Sequence, residues 1–177
     1  MTYSRSANTN PGRANLHPFD QIHGRDKESF PFDAFRDYAR CFVVERYASA
    51  EDIAEGFFGA AGLAQLARVV RDDKDGLTLI HRDVSLQIRL RPDISPQHAL
   101  LEFFQEYFGI RHSMRYLNHV TGDGIGWFVV QPTSTWARLE LANPYVKWFF
   151  TPLDRLPDIF DSSFEKLGEA GRLYAEA

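Results

Sequence analysis

The hydrophobic pattern changes character at residue 30. Residues 1–29 are rich in Ser, Asn, Arg, Gly and Pro and poor in aliphatics. A segment of this kind buries too little apolar area to offset the entropy of ordering it. It reads as a disordered polar tail, with Leu16, Phe19 and Ile22 able to dock locally. Residues 30–177 read as a single folded domain. Phe32, Phe35, Tyr38, Ala39, Phe42 and Val43 recur at helical spacing, with Pro31 suited to a first turn. Ser49 is a good N-cap for a second helix, and Asp52 completes a capping-box pattern. That helix carries Ile53, Phe57, Ala60, Ala64 and Ala67 on one face, interrupted by Gly56, Gly59 and Gly62, and stops at the charged loop 71–76.

Next come two strand-like runs, 77–81 and 84–90, around Arg82-Asp83, which suits a tight hairpin. In the second run Val84, Leu86, Ile88 and Leu90 alternate with polar residues. Ser95 caps a third helix that has Pro96 at its first position and ends at Gly109. Leu100, Leu101, Phe103, Phe104, Tyr107 and Phe108 form its wide apolar stripe. Four strand-like runs follow at 113–120, 125–131, 135–141 and 145–150, separated by Gly122/Gly124, Pro132 and Asn143-Pro144. A last helix begins with Ser162 and Glu165 as capping box and buries Phe164, Leu167 and Tyr174. The expected class is α+β: a mainly antiparallel sheet, made of a hairpin plus a four-strand meander, covered by three to four helices.

Composition narrows the function classes. With 44% hydrophobic residues, the 177-residue chain is long enough for one proper core. The net charge of −4 offers no global electrostatic case for nucleic acid. No apolar run approaches the ~18 residues of a membrane span, and the N-terminus lacks the apolar region of a secretory signal. A cytoplasmic location is expected, although a Ser/Asn-rich N-terminus also fits export through a non-classical signal. Of the 20 basic residues 16 are Arg, a bias that points to a GC-rich bacterial genome. Cys41 is the only cysteine, so no intramolecular disulfide forms, and its neighbours Phe42, Val43 and Val44 suggest a buried apolar role.

Candidate chemistry is sparse. The sequence contains no Gly-x-Ser-x-Gly elbow, His-Glu-x-x-His, Walker loop or paired-cysteine site, and no cofactor is expected. Gly122-Asp123-Gly124-Ile125-Gly126 is followed by a strand-like run, which favours a hairpin turn over a phosphate loop. His17 and His23 are loosely placed in the tail, where metal binding would be weak, and His81 and His98 have no ligand partner at metal spacing, so no metal site is expected. The densest polar constellation is Arg111, His112, Arg115, Tyr116, His119 and Asp123. Strand alternation places Arg115 and His119 on one face, roughly 13 Å apart, and Tyr116 on the other. If the chain is an enzyme, Arg115 holds an anionic group, His119 is the acid or base, and Tyr116 assists. If that face meets water, these are ordinary surface residues.

Two functional expectations follow. The run from Tyr145 to Phe150 is apolar except at Lys147, and aromatic patches near Arg are typical of interface hot spots. Together with the missing catalytic motifs, this favours a non-catalytic protein-interaction module of adaptor, immunity or secreted accessory type. Tyr145, Trp148, Phe150 and Arg115 would then contact another protein, and self-association is also open. The alternative is a small-ligand-binding or enzymatic domain. The element order over residues 31–151 is similar to the cone-shaped NTF2-like and SnoaL-like folds. That resemblance implies a pocket lined by the meander, with Arg115, His119, Tyr116 and His81 facing it.

Overall fold

The computed structural model describes residues 17–72, 76–118 and 125–177. It is an α+β fold with two antiparallel sheets. In chain order the elements are α1 (Phe32–Arg36), β1 (Cys41–Glu45), α2 (Ala50–Ala61), β2 (Ala67–Arg71), β3 (Leu77–His81) and β4 (Val84–Ile88). They continue as α3 (Pro96–Phe108), β5 (His112–Leu117), β6 (Ile125–Pro132), α4 (Thr133–Ala142), α5 (Val146–Phe149), β7 (Phe150–Pro152) and α6 (Phe164–Glu176). The larger sheet has the order β1-β6-β5-β7 and the smaller β2-β3-β4.

The larger sheet is covered on both faces. On one, Phe42, Val44, Met114, Tyr116, Phe128 and Val130 meet α2, α3 and the smaller sheet. The rings of Phe57 and Phe104 stack there at 5.0 Å. On the other, Leu117 and Val129 meet α4, α5 and the N-terminal segment. Phe19 and Ile22, only 1% and 3% exposed, belong to this second cluster. Phe19 and Ile22, the side chains able to dock locally, thus pack onto the domain from within the polar segment.

Several elements match the sequence pattern. Ser49 and Asp52 form the reciprocal capping box of α2. Ser95 caps α3 with Pro96 in its first turn. Arg82-Asp83 closes the β3–β4 hairpin, with Arg82 in the left-handed region at φ 55°.

Others differ for identifiable reasons. The helix expected from Phe32 stops at Arg36, and the run Cys-Phe-Val-Val, with two β-branched residues and an aromatic, becomes β1 instead. Gly62, at φ 73°, ends α2 and frees Ala67–Arg71 to pair with β3. The last two expected meander strands are helices α4 and α5. Ala137-Arg-Leu-Glu-Leu-Ala142 consists of strong helix formers, and helical spacing brings Trp136, Leu139 and Glu140 together toward the sheet. In α5, Val146 and Phe149 at i,i+3 are both fully buried. The cap of α6 is Ser163, one residue beyond Ser162, and its hydroxyl accepts from Lys166 N–H.

Candidate interaction site

Arg115 projects from β5 onto the face covered by α4 and α6, where it is 8% exposed. Its guanidinium pairs with Glu140 of α4 and lies 4.4 Å from the Trp136 ring centroid. Tyr174 of α6 donates its hydroxyl to the same Glu140 oxygen at 2.7 Å. Burial and the Glu140 carboxylate push the Tyr174 phenol up to about 12. Lys147 of α5 sits 5.7 Å from the Tyr174 ring on its ammonium side. Arg115 Nε is buried with no hydrogen-bond partner among the described residues. Trp136 is itself fixed, its indole N–H donating to Ser113 O at 2.9 Å. The cluster ties α4 and α6 to the sheet through one shared carboxylate.

Arg115 is therefore neither a surface residue nor open to a substrate. Tyr116 points the other way, 1% exposed against the Phe128 ring, and burial raises its phenol to about 12. It cannot assist chemistry at Arg115. His119 and Asp123 lie outside the described residues. His81 faces α3, edge-on to Tyr107 and Phe108. Burial raises the Cys41 thiol to about 12, well outside the range of a reactive thiolate.

The binding candidates separate in the same way. Phe150 is fully buried and touches Phe19, Phe35 and Trp136, so it serves the core and cannot contact a partner. Trp148 is half-buried beneath the Arg25 guanidinium, 4.6 Å from its ring centroid. Tyr145 is 38% exposed, and Leu141, which the sequence did not single out, is 86% exposed. Both stand at the corner between α4 and α5. Asn143 fixes that corner: its amide donates to Ile22 O at 2.7 Å and Phe19 O at 3.3 Å, and its carbonyl accepts from Tyr145 N–H at 3.1 Å. The Asn143-Pro144 turn is thus clamped to the N-terminal segment and holds Tyr145 outward. The signal for Leu141 was present in Ala137–Ala142, whose helix-forming residues place one large aliphatic away from Trp136.

A second polar cluster superficially has catalytic composition: Ser95, His98 and Asp158. Ser95 donates its hydroxyl to Asp158 at 2.7 Å, and Ser95 N–H also bonds this carboxylate. His98 Nδ1 accepts from Ile159 N–H at 3.2 Å, and its Nε2 lies 3.5 Å from Glu102. The imidazole does not meet the serine hydroxyl, which accepts from the His98 backbone. The His98 imidazole therefore does not activate Ser95, and the cluster pins residues 158–160 to the start of α3. Burial lowers the His98 pKa in spite of the neighbouring Asp158 and Glu102.

No family of known proteins, no curated protein and no solved structure matches this chain. A cavity of about 590 Å³ opens between the N-terminal segment and α1, beside Asp20, His23, Glu28 and Asp33. Arg115, Tyr116 and His81 are not among its lining residues. Among the described residues, no group of three or more His, Cys, Asp or Glu side chains is arranged to hold a metal ion. No helix of the described residues is long and apolar enough to cross a membrane.

Proposed function

We propose that this chain is a non-catalytic protein-interaction module that docks a partner protein on the corner between α4 and α5. One observation carries the reading: Leu141 and Tyr145 are left outside on a backbone that Asn143 clamps to the N-terminal segment. A large apolar side chain held in place loses little entropy on binding, which is what makes rigid aromatics effective anchors. Among the described residues, the candidate groups for chemistry are occupied elsewhere. Arg115 is engaged by Glu140, Tyr116 is in the core, and Ser95 is spent on Asp158. The partner surface that fits is an apolar pocket for Tyr145 and Leu141.

The test is a photo-crosslinking residue at position 141 or 145 in the native host, with position 47 as control. Tyr47 is 89% exposed and lies outside the corner. Positions 141 and 145 should each give one discrete protein adduct, and position 47 none. No adduct at the corner, or the same adducts from all three positions, would overturn the reading.

A further inference from the structure

We infer that this protein forms a two-fold homodimer by pairing β4 with β4 of a second copy, joining the smaller sheets into one continuous antiparallel sheet. This goes beyond the proposed corner, which involves other elements.

The edge is open and unguarded. Among the described residues β4 pairs only with β3. Residues 84–87 are exposed, with Val84 and Leu86 at 53% and 39%. Val84-Ser-Leu-Gln-Ile88 contains no charge, proline or glycine, the devices that ordinarily protect an edge strand. The hairpin tip is anchored as well, Arg82 N–H donating to Leu66 O at 2.8 Å.

Backbone geometry and charge then select a register. His81 and Val84 flank a two-residue turn, so they form a hydrogen-bonded pair, and the peptide groups of Val84, Leu86 and Ile88 are directed to β3. Those of Ser85 and Gln87 are directed outward. A two-fold axis at Leu86 sets Ser85 opposite Gln87 of the second copy, and Gln87 opposite Ser85. Each such pair exchanges two N–H···O=C bonds. The same axis sets Leu86 against Leu86 and Val84 against Ile88, giving an apolar row on one face. One step further out, Asp83 meets Arg89 of the second copy on both sides. Both are exposed, and neither makes an ion pair among the described residues. An axis at Ser85 would set Asp83 against Gln87 and Arg89 against His81, with no charge match, and one at Gln87 would set Asp83 against Arg91, which is already paired with Asp93 and Glu102. Opposite charges directly across a ladder stabilise it, and like charges weaken it.

The experiment is sedimentation equilibrium of the full chain. Wild type should form a species of twice the 20.3 kDa chain mass. Asp83→Arg and Arg89→Asp, each alone, should weaken dimerisation about tenfold. The double exchange D83R/R89D should restore it to within about threefold. Ser85→Pro removes an outward N–H without touching the β3 ladder and should leave a folded monomer by circular dichroism. Tyr145→Ala should leave the dimer unchanged, which separates this proposal from the corner. A monomeric wild type at about 100 μM would overturn the inference. So would a dimer indifferent to the charge variants or to Ser85→Pro, or one that D83R/R89D fails to restore.

Discussion

Tyr174 and Arg115 meet on the same oxygen of Glu140, one through a phenolic hydrogen bond and the other through a buried ion pair. The two partners are not equivalent. Removing the tyrosine hydroxyl takes one hydrogen bond from a charged acceptor, at a cost of about 1.5–3 kcal/mol. Glu140→Gln leaves the Arg115 charge buried without a counter-ion, at about 3–5 kcal/mol. Urea unfolding of Tyr174→Phe and Glu140→Gln should show the glutamine variant as the less stable. The opposite order would mean that Arg115 is less dependent on Glu140 than its burial implies.

Two glycines of α6 make a matched pair. A Cβ on Gly171 would lie 2.6 Å from Asn118 Nδ2, while one on Gly168 would meet nothing within 4 Å. Asn118 donates to Trp148 O at 3.1 Å and accepts from Thr151 at 2.7 Å, so it has little room to move. Gly171→Ala should destabilise by about 1–3 kcal/mol. Gly168→Ala should be neutral or stabilise by up to about 1 kcal/mol. Thermal melts of both variants check the difference, and equal effects would contradict the close approach of α6.

Acid should destabilise the fold in two stages. Burial depresses the His98 pKa below 6.5, so its contribution is present above 6.5 and is lost as pH falls through its folded value. Burial also depresses His81 and His112, aided by neighbouring arginines, with the same sign. For Asp158, burial acts upward, but hydrogen bonds from Ser95 and Phe160 prevail and hold the carboxyl below 3.8. Its contribution is therefore present above 3.8 and lost as pH falls further. Denaturant midpoints from pH 7 to 3 should decline first below 6.5 and again below 3.8. His98→Asn should flatten the first decline without abolishing it, and an unchanged slope would remove His98 as a contributor.

Phe150 and Tyr145 should behave as opposites. Phe150→Ala opens a fully buried aromatic site and should cost about 3–5 kcal/mol. Tyr145→Ala, at an exposed corner, should stay within about 0.5 kcal/mol of wild type. A strongly destabilised Tyr145→Ala would make that ring part of the core and remove the support for the interaction reading.

Much of the fold could be read from the chain because local signals agreed with tertiary packing. The Ser49–Asp52 box, the Ser95-Pro96 start and the Arg82-Asp83 turn each have a chemistry that one structure satisfies best. Where periodicity was ambiguous, packing decided. Thr135–Leu141 alternates well enough for a strand, yet Trp136 and Glu140 reach Arg115 together only from a helix. The burial of Arg115 was not legible for the same reason, since the face it occupies is roofed by α4 and α6. Tyr145 was legible as a candidate because Asn143-Pro144 forces a turn before it. The clamp that makes the corner rigid was not legible, because Asn143 reaches Phe19 and Ile22 more than 120 residues away.

The most direct test of the proposed function is native mass spectrometry of wild type and Tyr145→Ala, each purified gently from the native host. Wild type should carry a stoichiometric protein partner that is lost from the folded variant. A partner retained equally by both, or a small-molecule adduct in place of any partner, would contradict the proposed function.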